Sequence, residues 1–209
     1  MYTAVEKDLH ERWTALAGEA ARSVGVELVG RYAQQHRRYH TVDHLAAMSA
    51  VIDDLAGDAD DIEAVRYAAF FHDAIYAVDR ADNEERSAEL AESVLESLGA
   101  APELVREVGR LVRLTAGHDP EPDDHNGGVL CDADLAVLAA DGPGYAAYVA
   151  AVRAEYRHVP DELFRAGRTA VLRGLAGQDR LFHTPTARAR YESAARANLA
   201  RELDQLAAR

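Results

Sequence analysis

Cysteine is almost missing from this chain: Cys131 is the single one among 209 residues. One thiol cannot close an internal disulfide, and without a Cys-x-x-Cys pair neither a thiolate zinc site nor a redox couple can form. Cys131 is expected to be a small buried hydrophobe. Basic residues are scarce as well, with 23 Lys and Arg against 36 Asp and Glu and a formal net charge of −13. Such a surface repels phosphate backbones and anionic lipid, which disfavours long nucleic acids and membranes as partners. No apolar run approaches the ~20 residues of a membrane span. The stretch MYTAVEKDLHERW carries charges where a signal peptide has an apolar segment. A soluble, cytoplasmic protein is the expectation. Alternating apolar and polar residues over a useful length are also lacking, so no sheet is expected.

What is present is helical periodicity. After Thr41, apolar or small residues fall at Val42, Leu45, Ala46, Ser49, Ile52, Leu55 and Ala56, one face of a 3.6-residue repeat. The segment 83–98 repeats this with Ala88, Ala91, Val94, Leu95 and Leu98, and Gly99 stops it. The segment 102–116 does so with Leu104, Val105, Val108, Leu111 and Val112, opened by Pro102. A last helix carries Tyr191, Ala195, Leu199, Leu203 and Leu206. Further helices are expected over 3–17, 25–36, 60–76, 143–157 and 161–176. The stretch GHDPEPDDHNGG, 117–128, reads as a surface loop, and Val129-Leu130-Cys131 as a short run without a partner strand. The length suits one domain spanning 1–209, and the fold class is all-α, a single helical bundle.

Chemistry concentrates in a few places. RRYHTVDH places His40 and His44 four residues apart, on one side of a helix. FFHDAIY sets His72 and Asp73 side by side in an apolar segment, where an unpaired ionisable group is costly. His118 opens the acidic loop, and CDADL offers Asp132 and Asp134. Nitrogen and oxygen donors on separate helices suit a divalent cation, which would neutralise Asp73 and engage His72. The metalloprotease reading of His40 and His44 is excluded, because that motif needs Glu directly after the first His and the chain has Thr41.

The ordered set H…HD…D in a helical chain resembles the HD-domain superfamily of metal-dependent phosphohydrolases. The resemblance is closer to an uncharacterised family within it. The pieces that carry it are RYAQQHRRYHTVDHLAAM, FFHDAIY followed by DNEERSA, LCDADL, Tyr145 and Tyr148 leading to EYRHV, Gly167-Arg168, and a late Tyr-Glu with AARANL. They run from about Arg31 to Leu199. The resemblance implies an HD-type bundle. In related cyclic-nucleotide phosphodiesterases a YHxxxH element supplies a proton donor and then a metal ligand, so His40 is the candidate general acid and His44 a ligand. His72 and Asp73 match the paired ligands. Asp134, in its Ala-Asp-Leu context, matches the final aspartate, with Asp132 as the alternative. Superfamily members with extra histidines hold two metals, which makes His118 a candidate second-metal contact; His125 lies in the same interval.

The implied activity is hydrolysis of a small phosphate ester, a phosphorylated metabolite or a nucleotide, through a metal-activated water. One or two divalent ions per chain would serve: zinc, manganese, iron, cobalt, nickel or magnesium. Arg38 and Arg86 are candidates for fork-like contacts to phosphate, Arg168 a weaker one, and Glu85 for orienting the water or a ligand histidine. Two alternatives stand beside this. One is a di-iron oxygenase on the same scaffold, the other a non-catalytic sensor or scaffold stabilised by metal. Plainer roles are expected for Arg37, for Asp82 or Asn83 as a helix cap, and for Tyr145, Tyr148 and Tyr156 as packing residues. His10, His158 and His183 have no constellation around them.

Overall fold

Helix α4 (Ile62–Phe71) reads IEAVRYAAFF, apolar on nearly every side. A helix of that composition must be covered all round, and the rest of the chain is arranged to do so. The computed structural model describes residues 2–208, and among them ten α-helices and no strand form one bundle. Helix α1 (Ala4–Ala17), α2 (Arg22–Tyr32), α3 (Val42–Asp54), α5 (Asn83–Ser97), α6 (Pro102–Leu114) and α7 (His125–Leu135) all touch α4. Beyond α7, a short 3-10 turn at Ala136–Ala139 contacts α8 (Gly142–Glu155) and α10 (Pro185–Ala207), and α9 (Asp161–Ala176) packs on α10.

The aromatic centre of the bundle is Trp13, whose ring meets Tyr67, Phe70 and Phe71 edge-on at 5.8, 5.2 and 5.9 Å. Its indole N–H donates to the Ala21 carbonyl at 2.8 Å, so no polar atom of the ring is stranded. Phe71 is fully buried, and a side chain of that kind contributes roughly 1.5–3 kcal/mol by leaving water. The consequence for the site is rigidity: His72 and Asp73 follow the best-packed end of the best-packed helix.

The periodicity located most helices. Helix α9 spans the expected 161–176, and Gly99, at φ +76°, ends α5 in the left-handed conformation that glycine takes without a Cβ penalty. Two departures matter. The helix expected over 60–76 stops at Phe71, and His72 and Asp73 lie in the turn beyond it. The last third of the expected loop 117–128 and the run 129–131 belong to α7. The Gly127-Gly128 pair reads as a loop signal, but here it serves close packing. A Cβ on Gly127 would lie 2.6 Å from the Leu114 side chain and 2.3 Å from the carboxylate of Asp124, which caps the helix by accepting from the Gly127 N–H. Helix α2 also begins and ends earlier than expected, leaving 33–41 as an irregular segment.

Candidate metal centre

Three segments converge on one point. His44 comes from the first turn of α3, His72 from the end of α4, and Asp134 from the end of α7. His44 Nε2 is 3.2 Å from His72 Nε2 and 3.1 Å from Asp134 Oδ1, and one donor atom from each of the three lies within 4.8 Å of the others. Asp73 joins through Oδ2, 3.2 Å from His72 Nε2. All four are largely buried. His44, His72 and Asp134 can hold a metal ion.

The chemistry of the donor set fits a divalent cation. His72 Nδ1 lies 2.8 Å from the Ala69 carbonyl, which can only accept, so Nδ1 carries the hydrogen. Nε2 of neutral His72 is therefore a bare lone pair. It faces a second imidazole nitrogen and two carboxylate oxygens. Electron-rich atoms held this close need positive charge among them, supplied by a proton or by a metal. Without metal the proton is the remedy. Burial opposes charging His72, but the charge of Asp73, followed by its hydrogen bond and by Asp134, pushes the imidazole up to about 9. Burial raises the carboxyl of Asp73, and that is outweighed first by His72 and then by His40, which hold it well below the usual range. Asp134 is likewise held low against burial, by hydrogen bonds to His118 and His44.

The turn that carries His72 and Asp73 is fixed from several sides. The Tyr32 hydroxyl accepts from the Asp73 N–H at 3.2 Å and lies 3.2 Å from the Phe70 carbonyl. The Arg37 guanidinium, buried, donates to the carbonyls of His40 (3.2 Å), Asp73 (2.8 Å) and Ala74 (3.4 Å), and sits over the rings of Tyr32 and Tyr76. The next residues are held from α5. Ser87 Oγ bonds both the N–H and the carbonyl of Ile75, and the Asn83 amide does the same for Ala77. Asn83 is thus a clamp on the loop and not a helix cap; Asp82 occupies the cap position without a side-chain cap bond.

His40 stands beside this group. Its Nδ1 donates to Glu155 Oε2 at 2.7 Å, and its Nε2 lies 3.9 Å from Asp73 Oδ2. Glu155, at the end of α8, is buried with every lone pair in use. Oε1 accepts from the N–H groups of Arg38, Tyr39 and His40, and Oε2 also accepts from the Tyr76 hydroxyl at 3.0 Å. Burial raises the carboxyl, but the His40 hydrogen bond and charge, with the backbone N–H groups, bring it down to about 2. His40 is shifted upward: burial works against its charge, and Asp73 and then Glu155 more than compensate. The charged imidazole is thus easier to hold here than in water, and Nε2 lies on the side of the cluster where Asp73 sits.

His118 also reaches the group, with Nε2 2.7 Å from Asp134 Oδ2. It follows α6 at φ +50°, an uncommon backbone conformation for a residue other than glycine, and a conformation of that kind persists only where surrounding contacts enforce it. Other expectations are corrected. Asp132 is no ligand: two helical positions from Asp134 it points to the other side, where it accepts from the N–H groups of His183 and Thr184 at 2.7 and 2.8 Å. Glu85 lies on the surface, bonded to Arg113 at 2.8 Å, and Arg86 is exposed with no bond to the cluster. Arg38 is exposed, and its backbone N–H, not its guanidinium, meets Glu155. Arg168 is committed to a buried ion pair with Glu202 at 2.8 Å and to the Tyr148 hydroxyl. His125 pairs with Asp60 on the surface.

Sequence reasoning passed over Glu155 and Tyr32, and it gave Arg37 a structural role without naming the carbonyls that Arg37 ties together. Glu155 had one legible signal, an acidic residue followed by a cluster of basic ones in EYRHV, but nothing in that stretch names its partner. Comparison of the chain with protein-family models, with curated proteins and with solved structures gave no match in any of the three.

Proposed function

We propose that the chain is a metal-dependent phosphohydrolase of the HD type, acting on a small phosphate ester. The observation that carries the reading is the meeting of His44, His72 and Asp134 from three helices, with Asp73 beside them. A divalent cation supplies Lewis acidity to a phosphoryl group and to the attacking water. The chain's own contribution is positional. His44, His72, Asp73 and Asp134 would hold the ion, and the Ala69 carbonyl keeps His72 Nε2 directed inward. His40, oriented by Glu155, is placed to give the Nε2 proton to the departing oxygen. Tyr39, edge-on to His40 at 4.8 Å and beside His44 at 4.9 Å, narrows the space around the cluster. With Arg37 and Arg168 engaged elsewhere, positive charge toward phosphate comes from the ion and His40, and Arg38 is the guanidinium nearest His40 in sequence.

The test is Asp73→Ala. Metal content measured by elemental analysis should fall from stoichiometric to trace, and turnover of a panel of phosphate monoesters and nucleotides should fall with it. Equal turnover in the variant and in metal-stripped wild type as in the loaded protein would remove the mechanism. A metal-stabilised scaffold would instead lose thermal stability in Asp73→Ala and show no turnover in either form.

A two-metal variant has a specific observation in its favour. Asp134 offers Oδ1 to His44 and Oδ2 to His118, the disposition of a carboxylate that can bridge two ions. With two irons such a site would support oxygenase chemistry instead, so metal stoichiometry and substrate-dependent oxygen uptake separate the two readings.

A further inference from the structure

Helix α8 turns one face toward the segment that carries His40. Glu155 accepts from the N–H groups of Arg38, Tyr39 and His40. Tyr148 lies seven residues earlier, two turns away on the same face, and meets the Tyr39 ring edge-on at 4.8 Å. Tyr39 in turn lies against His40 and His44. The two phenols thus form one wall beside the proposed acid and a proposed ligand.

The hydrogen bonds of this wall do not close. Arg168 donates through Nη1 to the Tyr148 hydroxyl at 3.0 Å. A guanidinium can only donate, so the Tyr148 oxygen accepts and its own hydrogen is left to give. No acceptor for that hydrogen lies within bonding distance among the described residues. The Tyr39 hydroxyl has no partner there either, and it is not sealed from solvent. The neighbouring tyrosines differ: Tyr145 gives its hydrogen to Glu202 at 2.6 Å, Tyr76 to Glu155 and Tyr32 to the Phe70 carbonyl. Burial raises both free hydroxyls, so each keeps its hydrogen. Arg168 opposes this and Asp134 adds to it at both, so both hydroxyls feel the charge of the cluster. Two donors without acceptors, beside an ion that takes a phosphoryl group, suit anionic oxygens, to which a hydrogen bond is stronger than to a neutral acceptor. The Arg168 charge, held by Glu202 at 2.8 Å, polarises the Tyr148 O–H from behind.

We propose that Tyr39 and Tyr148 contact the substrate, each donating to a non-bridging oxygen of the phosphoryl group, and that Arg168 is a positioning residue acting through Tyr148. The inference rests on the phosphohydrolase reading. Tyr39→Phe and Tyr148→Phe remove the hydroxyls and keep the rings. Each should retain metal in elemental analysis and bind inorganic phosphate about tenfold or more weakly than wild type, measured by calorimetry on the metal-loaded chain. The kcat/KM for a phosphate monoester should fall in step. Wild-type phosphate affinity in either variant overturns the proposal and leaves the phosphohydrolase reading standing, whereas a loaded wild type that neither binds phosphate nor hydrolyses any ester overturns both. Arg168→Lys should lower kcat/KM in the wild-type background and have no further effect in Tyr148→Phe. An equal loss in both backgrounds would overturn the positioning role.

Discussion

Replacing Glu155 by Gln keeps the size of the side chain and removes its charge. Burial of that carboxylate is compensated by His40, three backbone N–H groups and the Tyr76 hydroxyl. The balance places its folded pKa near 2 against an ordinary value of 4.5. A carboxylate lowered by this much binds its proton more weakly in the folded chain than in the unfolded one. Its stabilisation is therefore fully present above about pH 4.5 and is lost as pH falls through about 2. The difference corresponds to about 3 kcal/mol at neutral pH and less than half of that near pH 3. Urea unfolding of wild type and Glu155→Gln should thus show a gap that approaches this size at pH 7 and narrows on acidification. Metal content should be unchanged, because no proposed ligand touches Glu155. A gap below about 1 kcal/mol at pH 7, or one that does not narrow at pH 3, would refute the assignment of Glu155 as the ionised support of His40.

His40→Ala should retain metal and lose about 100-fold or more in rate on esters with poor leaving groups, and much less on activated aryl phosphates; a loss independent of leaving-group acidity would make proton donation the wrong role. Asp134→Asn should lose metal in elemental analysis, whereas Asp132→Asn should keep it and instead lower the unfolding midpoint, since Asp132 holds the two N–H groups that precede α10. Metal loss in Asp132→Asn with retention in Asp134→Asn would reverse that assignment.

Helix identity was legible wherever one apolar face runs unbroken, as in α3, α5, α6 and α9. It failed at α7, where Gly127-Gly128 follows Pro and Asp, because composition does not distinguish a glycine chosen for a turn from one chosen for contact. In the site, His72 and Asp73 were legible because neither type has much reason to sit in an apolar segment, whereas His44 and Asp134 were singled out through the resemblance. Asp132 and Asp134 were not separable, because both are buried acids in one short motif; only the rotation of α7 shows that one faces the cluster and the other the start of α10. Glu85 was misplaced for a related reason, while Arg38 and Arg86 are exposed with no bond from their guanidinium groups to the cluster. An arginine or glutamate near a motif in sequence has a long side chain and many surface partners, and Arg113 claims Glu85 from 28 positions away. Glu155 escaped because its role is defined by what lies 115 positions upstream.

Arg37 has a further consequence for how the centre can open. One guanidinium joins the carbonyl of His40 to those of Asp73 and Ala74, so the segment leading to His44 and the turn bearing His72 cannot part without stranding a buried cation. Those two walls must travel together as one jaw. Asp134 approaches on α7 and joins this unit through His44 and His118 rather than through Arg37.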